Sequence, residues 1–274
     1  MSTPKPPRPP DGVPEDLPDG AGPNLRPVQD SWERLLAELL GRWGDLSESM
    51  RDRLLEQVRE SVQAGDILGL DSIGLDPTDL AAHVEASMAR AFTEAAEQIG
   101  AEARRQKVEV SPAGPDRYRT AALGQLFAVI AQRNLITSAM SEAVRLWRPG
   151  MRAGDVAEGV GVHLDSLTDA YPRLLFGSGL SMAQHDGRLR TIAGGPEAAL
   201  YADEILDKNT CGPCRAVDRK WLGNASDAMV LDTYPTGGYV GCEGRWRCRG
   251  QVVAIWRGGT DWTKWIEPPA RRGE

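Results

Sequence analysis

The chain has 274 residues, of which 26 % are charged and 41 % hydrophobic, and it carries a net charge of −7. This is the composition of an ordinary globular protein of about two domains, long enough to bury a sizeable core. The negative balance argues against general nucleic-acid binding by the whole chain, and no run approaches the ~18 apolar residues of a membrane span. Met1–Asp30 holds nine of the 19 prolines and shows no apolar period. Such a stretch buries too little surface to offset its chain entropy, so a disordered Pro-rich tail is expected there. It also lacks the apolar core of a secretory signal, so synthesis in a cytosol is expected.

Residues 31–110 read as an acidic helical region with a net charge of −7. Ser31 is a candidate N-cap for a helix carrying Trp32, Leu35, Leu36, Leu39, Leu40 and Trp43 at helical spacing. Ser47 is a candidate cap for a second helix, with Met50, Leu54, Leu55 and Val58 on one face. Gly65 to Asp76 is a break. Asp76-Pro77 opens a further helix, proline being at home in the first turn, with Leu80, Val84, Met88, Ala91, Ala95 and Ile99 as its core face.

Ser111–Pro115 reads as a linker, and residues 116–195 as a second helical region. Asp116–Trp147 forms one long helix or two, with Leu123, Leu126, Phe127, Ile130, Leu135, Met140, Val144 and Trp147 as apolar positions. Ala153–Tyr171 is helical despite its glycines. Pro172 interrupts it or opens the next helix, Arg173–Arg190, whose inward residues are Leu174, Leu175, Leu180, Met182 and Leu189. His83, His163 and His185 lie in these helical patterns and read as structural or surface residues.

After Gly194-Gly195-Pro196 the pattern shifts to short strands. Ala199–Ala202, Glu204–Leu206, Lys220–Leu222 and Val252–Trp256 are strand candidates, and Ser226–Tyr234 a helical turn. Residues 199–262 therefore form a small α+β module, followed by a tail over 263–274. The fold expected is mainly α with this small C-terminal α+β module. A core of about 60 residues rarely stands alone, and a structural metal is a usual remedy.

All four cysteines fall in this module. Cys211 and Cys214 form a C-x-x-C pair, and Cys242 and Cys248 a second pair with five residues between them. Three chemistries use such thiols. A structural zinc takes four thiolates as two short-range pairs, and Arg215, Arg245, Arg247 and Arg249 would favour the thiolate form. Cys-Gly-Pro-Cys is also a redox tetrapeptide, but it follows Asp-Lys-Asn-Thr rather than an apolar strand. Two disulfides would need an oxidising compartment. His83-Val-Glu85 with C-x-x-C imitates a deaminase signature, yet Thr210 stands where that signature has proline. The basic run Arg245-Trp246-Arg247-Cys248-Arg249 balances charge beside the thiols, or contacts phosphate.

The order Asp207-x-x-Thr210-Cys211-x-x-Cys214-x-x-x-Asp218, then Tyr234-Pro235, then Cys248-Arg249 before an apolar strand, resembles the C-terminal module of tailed-phage minor head proteins, the Mu F-like head-morphogenesis family, in the variant found in phages of actinobacteria. The resemblance covers Tyr201–Trp256. Two departures stand out: the family's His-Pro is absent, so Cys242 must serve as ligand, and Arg219 replaces the usual glycine after Asp218. The resemblance implies a non-enzymatic, low-copy virion component, made in the host cytoplasm and sited inside the capsid or at its portal vertex. Its implied partners are the portal protein, other head or scaffold proteins and packaged DNA, with no membrane. It would support head assembly, DNA packaging or ejection, with Cys211, Cys214, Cys242 and Cys248 on a structural zinc. The alternative is a zinc-stabilised nucleic-acid-binding protein using Arg245, Trp246, Arg247 and Arg249.

Overall fold

The computed structural model describes residues 9, 13–17, 25–66, 69, 76–167, 169–206, 208, 210–227, 230, 233–235, 238–244 and 250–256. The tail expected over 263–274 lies outside them. The described residues are mainly helical: α1 (Arg26–Ala64), α2 (Thr78–Arg105), α3 (Arg117–Leu146), α4 (Ala153–Ser166), α5 (Ala170–Ala193) and the short α6 (Gly212–Val217), with strands β1 (Ala198–Asp203), β2 (Trp221–Asn224) and β3 (Gln251–Trp256). They fall into two compact units. One comprises Leu36–Ser87 and Arg117–Phe176; the other comprises Met1–Leu35, Met88–Asp116 and Gly177–Glu274. Each draws on stretches far apart in the chain.

The two helices expected from Ser31 and Ser47 are one, the 39-residue α1. The Ser47 hydroxyl donates to Gly44 O at 3.0 Å, back into its own helix, and so caps nothing. The buried line Leu36, Leu39, Trp43, Met50, Leu54 and Val58 runs through the expected break. α1 stops at Gly65, whose φ of +73° is the left-handed closing conformation that glycine adopts without steric cost. α2 opens as expected. The Asp76 carboxylate accepts the Thr78 N–H at 2.9 Å, and Leu80, Val84, Met88, Ala91, Ala95 and Ile99 are all buried.

α3 is a single helix, and its buried face differs from the expected one. Phe127 and Leu135 are inside, but Gly124, Ala128, Ala131, Ala139 and Ala143 make up half of the buried line, while Leu126 and Val144 are about half exposed. Close approach explains the choice: a Cβ on Gly124 would stand 2.8 Å from Ala81 O. α5 begins at Ala170, three residues before the expected start, with Pro172 in its first turn.

In the second unit the sheet order is β2-β1-β3, antiparallel throughout. Glu204–Leu206 is not a strand. The Glu204 N–H turns aside to the Asp218 carboxylate at 2.8 Å, and Leu206 is exposed. Alternation along the strands gives the sheet two apolar faces. Ala198, Leu200, Ala202, Val252, Ala254 and Trp256 pack with Ile99 and Ala103 of α2 and Ile192 of α5. The small module thus shares its core with two long helices. Ala199, Tyr201, Trp221, Val253 and Ile255 form the other face, packed against Leu17 and Val13.

Both outer edges of this sheet are occupied. Along β3, Gly250 O accepts from His185 Nε2 at 2.7 Å and Val252 O from Arg188 Nη2 at 3.0 Å. The Gln106 amide then receives Trp256 N–H and donates to Ala254 O. Along β2, Trp221 N–H donates to Glu15 O at 3.0 Å and Leu17 N–H to Arg219 O at 2.7 Å. Within the stretch expected as a disordered tail, residues 13–17 therefore belong to the fold. Pro14 favours extended backbone, and Leu17 supplies an apolar anchor that composition alone does not reveal.

Candidate metal centre

α6 presents two of the cysteines. Cys211 is its N-cap in extended backbone, and Pro213 lies in the first turn, where its missing N–H costs nothing. Cys214 follows one turn later, and its carbonyl accepts the closing Asp218 N–H at 3.0 Å. Cys242 arrives from a separate turn, its N–H on Tyr239 O at 3.0 Å, just beyond Gly238 at φ +114°.

The three sulfurs lie within 4.8 Å of one another, with Cys214 and Cys242 buried. Cys211 Sγ and Cys242 Sγ are 3.9 Å apart, far beyond the ~2.05 Å of a disulfide. A tetrahedral ion with metal–sulfur bonds of about 2.3 Å separates its ligands by about 3.8 Å. The three cysteines are thus grouped closely enough that they could hold a metal ion. Burial works to raise the Cys211 thiol, but the Cys214 and Glu243 N–H groups and the neighbouring thiols outweigh it and hold it below its ordinary value. A thiol so placed is readily ionised, as a soft-metal ligand must be.

The residues flanking the thiols fix this loop to the sheet. The Thr210 hydroxyl donates to Ile205 O at 3.0 Å, and Arg215 Nε donates to Thr210 O at 3.1 Å. Asp218 accepts the Glu204 N–H, and Arg219 N–H donates to Ala202 O at 2.9 Å. Arg219 has φ +64°, the left-handed conformation favoured by glycine. The tight turn after Asp218 is thus made despite the side chain. Behind the thiols, the Tyr234 hydroxyl donates to the buried Glu204 carboxylate, and the Tyr234 and Tyr239 rings stack with centroids 5.7 Å apart. Burial first, and the facing Cys214 second, push the Tyr239 phenol up.

Cys248, Asp207 and the run Arg245, Trp246, Arg247 and Arg249 lie outside the described residues. His83 is an exposed residue of α2 with Nδ1 on Asp79 O at 2.7 Å, and His163 Nε2 lies 3.3 Å from the Ser138 hydroxyl.

Sequence reasoning missed a buried polar set beside the sheet. Arg188, fully buried, makes a two-pronged pair with Glu102 at 3.1 Å. His185 is also fully buried. Its Nδ1 meets no hydrogen-bond partner among the described residues, and burial drives the ring down to about 4. Asp203 is pushed up to about 7, chiefly by burial and then by Asp218. A signal existed: Ser181, Gln184, His185, Arg188 and Thr191 recur at helical spacing, and all are buried. A polar stripe is ordinarily assigned to solvent; here His185 and Arg188 close on the β3 side, Gln184 donates to Val28 O, and Thr191 accepts from the Ala113 N–H.

A scan against protein-family models, a search of curated proteins and a search of solved structures each return no match to this chain. Among the described residues, no helix is long and apolar enough to cross a membrane.

Proposed function

We propose that this chain is a minor capsid protein of a tailed bacteriophage, a head-morphogenesis component associated with the portal, whose C-terminal module is held by a structural zinc ion on Cys211, Cys214, Cys242 and Cys248. The observation that carries the reading is the stretch from Thr210 to Asp218, in which the residues of the family motif each do distinct mechanical work. Thr210 ties the loop to Ile205, Cys211 and Cys214 present sulfur from one turn, and Asp218 closes the helix onto Glu204. The pattern is thus a loop-and-helix staple, and the resemblance rests on residues with a physical role in it. Four thiolates would complete the shell of the ion, leaving no open position for hydrolytic chemistry and making the role structural. The acidity of residues 31–110 suits docking on another protein.

Two measurements test this. Metal analysis of reduced protein is expected to give about one equivalent of zinc; no metal, with four titratable thiols, sinks the zinc assignment. Quantitative mass spectrometry of purified phage particles is expected to find the chain at low copy together with the portal protein. Its absence from particles overturns the head-protein assignment. Binding to duplex DNA that weakens steeply with salt would instead support the nucleic-acid reading.

A further inference from the structure

The β2 edge is filled by residues 13–17 of the chain itself. Besides the two backbone bonds, Asp16 forms a bridge with Lys220, their side chains 2.5 Å apart, and the Arg219 guanidinium donates to Leu17 O. The Tyr201 hydroxyl donates to Pro14 O at 3.1 Å. Leu17 is 2 % exposed on the face made by Tyr201, Trp221, Val253 and Ile255. These bonds join a five-residue segment to the β2 edge and to Tyr201 of β1. That is strand addition in its intramolecular form.

We propose that this edge is a strand-acceptor groove and that residues 13–17 are an exchangeable arm, replaced in the paired state by the same residues of a second copy of this chain. The arm of another copy brings the same Leu17 anchor, the same Asp16 for Lys220 and the same backbone groups, so every bond reforms unchanged. The next described residue after Leu17 is Leu25. Eight residue steps reach at most about 28 Å. Because each bond broken in cis is replaced by an identical one in trans, the balance is set by concentration. Pairing within one chain needs no second molecule, which favours the chain's own arm. The closed single chain therefore dominates in dilute solution, and exchange takes over where copies are crowded or the cis pairing is weakened.

A charge swap in the full-length chain tests it. In D16K or K220E alone, like charges face each other within one chain. When the two variants are mixed, reciprocal exchange removes both repulsions, because each arm then meets an opposite charge on the other copy's groove. At low salt, light scattering is expected to show single chains for each variant alone and a 1:1 species of doubled mass for the mixture. The double variant D16K/K220E, matched again in cis, is expected to return to a single chain. A labelled peptide of residues 11–19 is expected to bind D16K roughly ten-fold more tightly than the unaltered chain, whose own arm competes. If the mixture stays at single-chain mass while circular dichroism shows both variants folded, arm exchange between copies is overturned, even where the peptide binds. If the peptide binds neither chain, the acceptor groove is overturned as well.

Discussion

The two edges of one three-stranded sheet are closed by opposite means. Along β3, the backbone is met by the side chains of Gln106, His185 and Arg188, two of them on α5, and His185 and Arg188 are fully buried. Along β2, the backbone is met by the backbone of a five-residue arm, steadied by a surface ion pair whose partners are 58 % and 34 % exposed. An unpaired edge invites another strand, so both devices answer the same hazard. The first cannot open without dismantling the core between α2, α5 and the sheet. The second can peel away without opening that core, although it uncovers the face of Tyr201, Trp221, Val253 and Ile255 that Leu17 covers. Buried side chains make an edge permanent, whereas an arm makes it negotiable.

The largest expected effect lies on the permanent edge. Arg188→Ala strands the buried Glu102 carboxylate and removes two donors from Val252 O. Breaking a buried pair on one side costs about 3–5 kcal/mol. Urea denaturation should show a loss of that size. Replacing both partners, Arg188→Met with Glu102→Leu, should recover much of it, because an apolar pair of similar volume carries no desolvation cost. A loss under about 1 kcal/mol for Arg188→Ala would mean that the pair does not hold this edge, and the contrast would fail.

The same edge should respond to pH. An unfolded histidine takes its proton near 6.5, whereas folded His185 stays neutral down to about 4, so its contribution is lost as pH falls from 6.5 to 4. Asp203, which pairs with Gln251 at the start of β3, behaves in reverse. Its folded carboxyl keeps its proton up to about 7, whereas an unfolded one releases it near 3.9, so its contribution is greatest in acid and is lost as pH rises through 7. Between pH 4 and 6.5 the two slopes oppose each other. Asp203→Asn removes one of them. The stability of this variant relative to the unaltered chain should therefore rise by about 3 kcal/mol from pH 4 to 7. A difference that stays flat with pH would show that Asp203 is ionised and solvated in the folded protein.

How much of this was legible in the sequence depended on what each residue signals. The thiols announced themselves by spacing, and the structure brings Cys211, Cys214 and Cys242 together. The strands around Ala199–Ala202 and Val252–Trp256, and the core face of α2, followed from apolar periodicity. The inner face of α3 did not, because its periodicity was read from large residues while close packing selected Gly124 and the alanines. The polar face of α5 was visible as a pattern but not as a buried one. Burying it requires partners on β3 and α2, 64 to 86 residues away in the chain, which no local signal carries. The arm was hidden for a related reason. A single leucine among prolines has no period, and its worth depends on the groove that receives it.

The smallest effect belongs to the negotiable edge, and its smallness is informative. Lys220→Ala removes an exposed ion pair worth about 0–1 kcal/mol, and the urea midpoint should hardly move. The arm keeps its backbone bonds and the buried Leu17, so the loss should appear locally. The Leu17 and Trp221 amides, which donate across the junction, should exchange with solvent a few-fold faster, while the β3 amide of Trp256, held by Gln106, should not change. Salt should imitate the substitution. At about 1 M the pair is screened, so the unaltered chain should exchange at the rate of the variant on the β2 side only. Equal acceleration at both edges would mean that the sheet opens as one piece, and the distinction between a fixed and a releasable edge would disappear.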